Sequence, residues 1–517
     1  MLIPQPSNDP NDPLNWPLWR RDFILAILCV LSVIASTLSP LLAANTLTLT
    51  LHFTRPFSDI ALLTGYHLLG VGVAGFLFVA SARVWGKRHL YLLGTVIIII
   101  SSIWGGYSKN SYTSLLWARV FQGVGLAPFE ALVNASVGDL FYVHERGKRM
   151  ALSNLALFGG AFFTPVIVGK MTSTLGWQWC FWMLAIFTGA MLPLVVFFCP
   201  ETTFNRPDYL NDPTLDRPRT SFEGRGAAEA GRPQGHEMSD YRSEDSPTPT
   251  KQPTSNEASV RALHAPQQQQ QTPYTQTLLP FSGRKTPDSF LKLLLRPLPL
   301  FLHPSILWAC LIQGTLIGWT VLIGIILAAV MLLPPLSFNE VQTGYMYTGA
   351  FIGALLGFAL AGLLADSSAR RLTRLNAGVY EPEFRMLLVA PQLVFGCAGL
   401  YGFGFVADDV RRYGWVWPDF FFGVEVLGMV LGAVASALYI VDAHRDVAVE
   451  AFTCLLVFKN LFSFALTYKG YDWLVEGGIK ETFVAVASVQ VGVCCLTVFM
   501  CEFSPPFPLF PLPSRLS

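Results

Sequence analysis

The chain has 517 residues, 52% hydrophobic and only 13% charged, with 35 Lys+Arg against 34 Asp+Glu. An ordinary soluble domain carries about 25% charged residues. This composition therefore excludes a soluble enzyme, a disordered chain, a secreted disulfide scaffold and a nucleic-acid binder, and points to an integral membrane protein. Residues 1–22 form a polar N-terminal segment with Asp9, Asp12 and the Arg20–Arg21 pair, and the first apolar run after it reads as an uncleaved span.

A helix needs about 20 apolar residues to cross a bilayer. The sequence offers twelve such runs: Phe23–Ala44, Ile60–Ala80, Leu90–Gly106, Leu115–Val137, Ala151–Met171, Trp177–Cys199, Pro304–Leu332, Tyr345–Leu364, Leu387–Val406, Phe420–Val441, Ala451–Tyr468 and Phe483–Cys501. Six precede a polar stretch and six follow it. The stretch holds a glutamine tract, Gln267 to Gln271, and Pro-Ser-Thr runs such as Ser246-Pro247-Thr248-Pro249. Such composition cannot bury a core. The expected organisation is an all-α integral membrane protein of two six-helix bundles, residues 23–200 and 304–502. A disordered central loop over 201–303 joins them, and a tail over 503–517 follows.

Basic residues in the short loops favour one side by roughly two to one, among them Arg21, Lys87, Arg88, Arg149 and Arg370. This places both termini in the cytoplasm. The 9 cysteines sit in or beside apolar runs, without a CxxC pair or an adjacent histidine, and read as small buried hydrophobes. No metal site or cofactor is expected. Rows of small residues, such as Gly349, Gly353, Gly357 and Ala361, suit close helix packing.

Several motifs carry a family resemblance. Asp12-Pro13-Leu14-Asn15-Trp16-Pro17 opens the chain, and Arg119-Val-Phe-Gln122-Gly123-Val-Gly125 lies in the fourth span. The fifth span holds Gly159-Gly160-Ala-Phe-Phe-Thr164-Pro165-Val-Ile-Val-Gly169, and the loop after the eighth holds Gly362-Leu-Leu-Ala365-Asp366-Ser-Ser-Ala-Arg370-Arg371. The chain resembles the major facilitator superfamily, and within it a fungal drug:proton antiporter-like branch. The fifth-span motif departs from the usual Gly-Pro with Thr164-Pro165. The first-half loop has Arg83 where an Asp is usual, although Gly86, Lys87 and Arg88 remain. The resemblance implies that Gly160, Pro165 and Gly169 bend the fifth helix as in antiporters.

A charge at mid-bilayer is costly and marks a cavity or a partner. Arg119, Glu130 and Asn134 are spaced by 11 and 4 residues, which puts them on one helical face with Gln122 between. Glu130 is the expected proton-carrying or cation-binding group. The resemblance implies that Arg119 tunes it; the alternative is a structural role for both, with Arg119 bonded to backbone carbonyls and Glu130 to a neighbouring helix. Glu425 in the tenth span and Lys459-Asn460 in the eleventh complete the expected cavity, with Lys459 bridging to Glu130 or Glu425 or serving only as a snorkelling lysine. His67 reads as a satisfied core histidine more than as a proton relay. Asp139 with Arg146, and Asp366 with Arg370 and Arg371, form a candidate cytoplasmic latch; their basic members also serve as an orientation signal.

No GxxxxGK[ST] loop or HExxH motif is present in the sequence, so neither ATP drive nor catalysis is expected. The expected function is proton-coupled efflux of a small organic compound by a monomer in the plasma membrane. The alternatives are uptake of a small cation such as a polyamine, and a non-transporting substrate sensor. Because the central stretch adds no span, deleting about Glu223–Gln271 is expected to leave surface expression and transport largely intact; a collapse of expression would show otherwise.

Overall fold

A computed structural model describes residues 7, 9–204, 273–332, 336–444 and 447–502. Twelve long helices carry the fold: α1 (Leu18–Ser36), α2 (Phe57–Trp85), α3 (Arg88–Tyr107), α4 (Tyr112–Leu140), α5 (Val143–Leu175), α6 (Gln178–Phe198), α7 (Pro304–Leu332), α8 (Thr348–Leu375), α9 (Val389–Asp408), α10 (Val416–Ala443), α11 (Ala448–Gly477) and α12 (Ile479–Glu502). Among the described residues, 11 helices are long and apolar enough to cross a membrane. The remaining one, α1, begins with Arg20, Arg21 and Asp22 in its first turns and is apolar beyond them. Large apolar side chains such as Ile100, Phe187, Leu363 and Val498 are exposed along these helices, as a lipid-facing surface requires.

The first span is shorter than the sequence implied. Instead of running to Ala44, α1 stops at Ser36. The Ser36 and Thr37 hydroxyls donate back to the carbonyls of Val33 and Ile34, at 2.8 and 2.6 Å. Pro40 has no N–H with which to resume the helix. A short turn follows, then a 3-10 segment (Ala43–Asn45) and a short helix (Thr46–Phe53). This break matters below, because it frees backbone carbonyls inside the bundle.

Close helix pairs are built on glycine. A Cβ on Gly123 of α4 would collide with the His67 carbonyl of α2, and one on Gly70 of α2 with the Val120 carbonyl of α4. In the second half, a Cβ on Gly353 of α8 would collide with the Gly423 carbonyl of α10, and one on Gly423 with the Gly349 carbonyl of α8. Such contacts replace the hydrophobic drive that lipid denies to helix association.

The two halves meet along two seams. On one, α2 runs beside α11, with Gly65 against Thr467, Gly72 against Asn460 and Gly75 against Leu456. On the other, Pro165 and Gly169 of α5 press on Gly344 and Glu340, in the short helix Glu340–Tyr345 that leads into α8.

The linker expectation needs correction at its end. Residues 205–272 lie outside the described set, as does the tail over 503–517, but 273–303 are not featureless. They contain the short helices Tyr274–Thr277, Phe290–Leu295 and Pro297–Leu300. Leu293 is buried with Ala80 and Val84 of α2, and the Lys285 amide donates to the Val84 carbonyl at 2.7 Å. Apolar Phe290, Leu293 and Leu294 form this contact.

Replacing Gly123 with Leu should force α2 and α4 apart, at a cost of about 1–3 kcal/mol. A lowered unfolding temperature of the purified protein in detergent is the expected readout.

Candidate functional site

Between the halves lies a cavity of about 200 Å³. Its walls come from both halves: Ser39 and Thr46 after α1, Phe57 and Thr64 of α2, Glu130 of α4, Phe158 and Phe162 of α5, Thr320 of α7, Phe422 of α10, and Lys459, Asn460 and Ser463 of α11. Aliphatic and aromatic side chains together make most of its surface apolar. Tyr347, whose hydroxyl donates to the Gly324 carbonyl at 2.9 Å, closes one wall.

The charged centre of this cavity is an ion pair between the halves. Lys459 Nζ of α11 contacts Glu130 Oε1 of α4. Both side chains are mostly buried, at 10% and 12% exposure. Lys459 thus does not snorkel, and its partner is Glu130 rather than Glu425. Beside it, Asn460 lines the cavity and donates to the Leu456 carbonyl at 2.9 Å.

Arg119 stands apart from the cavity. It is fully buried and outside the cavity wall. Its Nη1 donates to the Leu38 carbonyl at 2.7 Å and to Gln122 Oε1 at 2.9 Å. Longer contacts, 3.4 Å each, reach the carbonyls of Ser39 and Leu63. Gln122 then donates to Ser102 Oγ at 3.1 Å. The break after α1 supplies these acceptors, so the guanidinium is satisfied by backbone and does not face Glu130. His67 bridges the same region, with Nε2 3.2 Å from Ser39 Oγ and Nδ1 3.4 Å from the Arg119 carbonyl. Asn134 likewise leaves the cavity: it donates to Asn154 Oδ1 at 2.8 Å and accepts from Ser153 Oγ at 2.7 Å, tying α4 to α5.

Glu425 is fully buried behind the cavity wall, with Thr320 Oγ1 2.8 Å from its Oε1. In α5, Gly160 packs on Val33 and Ser36 of α1, while Pro165 and Gly169 meet the start of α8. The segment therefore touches both halves.

The latch residues pair differently from expectation. Asp139 contacts Lys87 Nζ at 2.6 Å, from the loop between α2 and α3. Arg146 instead donates to the carbonyls of Phe141 and Gly138, at 2.8 and 2.5 Å, where α4 ends. Asp366 faces Arg385 at 3.7 Å, and Arg385 also binds Asp442 at 3.0 Å. Arg370 donates to the backbone carbonyl of Asp366, at 3.0 Å, and Arg371 is exposed. Tyr380 joins this group by donating to Asp442; burial, helped by that carboxylate, pushes its hydroxyl up to about 12, so the proton stays on the phenol. Lys87 with Asp139, and Arg385 with Asp442, occupy matching places in the two halves: each joins the loop or turn before the third helix of its bundle to the end of the fourth.

Sequence reasoning missed a cluster that links the halves at this basic end. Glu450 of α11 binds Arg83 of α2 at 2.8 Å and Arg296 of the linker at 3.1 Å. Arg83, the departure from the family's usual Asp, is thus the residue that reaches the other half. Glu450 stood one residue before the eleventh apolar run, where an acid gives no signal of its partner. At the opposite end, Thr48 donates to Glu340 Oε1 at 2.6 Å, also between halves.

The family model for the Major Facilitator Superfamily matches residues 24–462. The chain belongs to the major facilitator superfamily. It is similar to Protein HOL1 of Saccharomyces cerevisiae, 25% identical over 529 aligned residues that cover 97% of this chain and 89% of that protein. It is also similar to the MFS transporter cpaT of Aspergillus oryzae, 25% identical, covering 89% of this chain and 82% of that one. Its fold matches the xylose transporter XylE of E. coli in a partially occluded inward-open conformation. The TM-score is 0.58 at 12% identity, over 94% of this chain and 99% of that one. The chain is a multi-pass membrane transporter of the fungal type in this superfamily, with two six-helix bundles around a central cavity.

Removing one member of a mostly buried ion pair leaves the other uncompensated. Lys459→Met or Glu130→Gln alone should each destabilise the protein by roughly 1–3 kcal/mol. The double variant should recover much of that loss, and a double-mutant cycle of thermal unfolding reads the coupling.

Proposed function

We propose that this transporter exports a small organic compound in exchange for protons by alternating access, from the cytoplasm across the plasma membrane. The observation that carries the proposal is the Glu130–Lys459 pair, which sits on the cavity wall and joins α4 of one half to α11 of the other. A proton taken by Glu130 cancels its charge and removes the counter-ion of Lys459. The link between the halves then weakens, and the freed ammonium can interact with cargo or water. Losing the proton restores the pair. Protonation and the mutual position of the halves are thereby coupled, as linkage requires of two events that bias one equilibrium.

The walls favour a compound with an aromatic or aliphatic body, because aliphatic side chains such as Leu42 and Ile317 line them together with Phe57, Phe158, Phe162 and Phe422. Efflux is favoured by α5, whose Gly160, Pro165 and Gly169 resemble the antiporter motif and pack against both halves. The basic end faces the cytoplasm, in keeping with the excess of Lys and Arg there. The protein acts as a monomer, with lipid around it and small molecules and protons as its only partners.

Counterflow of labelled compounds into vesicles, with and without a pH gradient, is the direct test. Compared at equal amounts of reconstituted protein, Glu130→Gln should abolish the dependence on the gradient. Wild-type rate and pH dependence in that variant would refute the role of the pair, and uptake driven by the inward proton gradient would replace export with import.

A further inference from the structure

Glu425 poses a separate problem in hydrogen-bond counting. Its carboxyl lies fully buried on α10, and among the described residues no Lys, Arg or His stands within ion-pair distance of it. The groups that face this region from neighbouring helices are few. From α7 comes Thr320; from α9 comes Gly399, whose missing side chain leaves room for the Glu425 backbone. Tyr347, just before α8 and engaged with Gly324, and Lys459 of α11, engaged with Glu130, line the same cavity as Thr320.

Thr320 Oγ1 is 2.8 Å from Glu425 Oε1, 3.1 Å from Oε2, 2.8 Å from the Leu316 carbonyl and 3.3 Å from Met429 Sδ. A hydroxyl has a single proton to donate. If Glu425 were ionised, carboxylate and carbonyl would compete for that proton, and one close oxygen pair would hold two acceptors with no hydrogen between them. A protonated carboxyl removes the conflict: Glu425 donates to Thr320 Oγ1, and Thr320 donates to Leu316. An ionised carboxylate in the same place would also lack the charge partner that burial demands.

We propose that Glu425 is a neutral carboxylic acid and a second proton-exchange site, in the carboxy-terminal half, distinct from the Glu130–Lys459 pair. Thr320 and Met429 line the cavity while Glu425 stands behind them, so the path between acid and cavity runs through the Thr320 hydroxyl. Cargo that engages Thr320, or a shift of α7 against α10, breaks the hydrogen bond and exposes the acid. Its proton passes to cavity water and returns when the bond reforms. The exchange role rests on the transport reading above, whereas the neutral state of the acid does not.

The test uses the full chain purified into lipid, without any transported compound. Infrared spectra at neutral pH should contain a carbonyl band of a protonated, hydrogen-bonded carboxyl. That band should be lost in Glu425→Gln, persist in Glu130→Gln, and shift in Thr320→Val, which removes the acceptor. A wild-type spectrum without the band, or a band unchanged in Glu425→Gln, would overturn the proposal. Proton flux measured against cargo flux in vesicles should then show a lower proton-to-cargo ratio for Glu425→Gln, and a ratio equal to wild type would overturn the exchange role. Persistence of the band in Glu130→Gln, together with unchanged gradient dependence in that variant, would remove the role of the central pair and leave Glu425 in place. Elution of each variant as a monodisperse, heat-stable protein separates these outcomes from misfolding.

Discussion

A charge inside a bilayer must find a partner, and in this chain that demand fastens one six-helix bundle to the other at the cavity. Glu130 and Lys459 come from helices of different halves, and each is the other's ion-pair partner. Neither would be affordable alone at that depth. Their pairing therefore fixes how α4 and α11 face each other and puts charged atoms on a wall that is largely apolar. The seam beside it is smooth for the same reason. The glycines of α2 give up side chains so that α11 can approach along its length, and the approach brings Lys459 within reach.

Two other polar groups solve the same problem without an ion pair. Arg119 takes its acceptors from a chain break: α1 ends at Ser36, and the carbonyls of Leu38 and Ser39, no longer committed to a helix, receive the guanidinium. Charge and break thus satisfy each other, since unbonded carbonyls are costly in a dry interior as well. Glu425, on the proposal made here, gives up its charge. The three solutions differ in what a proton can do. Arg119 has none to lose at neutral pH, which suits a structural pin. Carboxyls titrate, which suits exchange.

The helices were legible because hydrophobic run length is a local property. The first span was misjudged by eight residues because apolar Leu41, Leu42, Ala43 and Ala44 continue the pattern past Pro40, where the backbone cannot continue the helix. The spacing of Arg119, Glu130 and Asn134 correctly put polar groups on α4, yet helical spacing says nothing about what the neighbouring helices present. Arg119 met carbonyls, Asn134 met α5, and only Glu130 met the cavity. The latch shows the same limit. Asp139 and Arg146 are close in sequence, but Lys87 from another loop pairs with Asp139, and Arg146 donates to helix-end carbonyls.

The two ends of the bundle differ in how they hold the halves together. At the basic end, Glu450 is almost wholly buried between Arg83 and Arg296, so its bonds escape most of the screening that makes surface ion pairs weak. At the other end, one charge-assisted hydrogen bond, Thr48 to Glu340, accompanies the close contact of Gly169 and Gly344 with the opposing half. A charge-assisted hydrogen bond contributes about 1.5–3 kcal/mol, and a paired buried acid is of similar order. Inverting a two-state population from 1:99 to 99:1 takes about 5.5 kcal/mol. Neither end alone therefore locks the bundle. The sum of one end and the Glu130–Lys459 pair approaches that figure, which is the range in which, on the proposed mechanism, a proton or a bound solute at the cavity decides which side opens. Arg296 adds a feature that the helices do not have by themselves: it arrives from the linker, so the joint between α2 and α11 is completed by the segment that connects the halves in sequence.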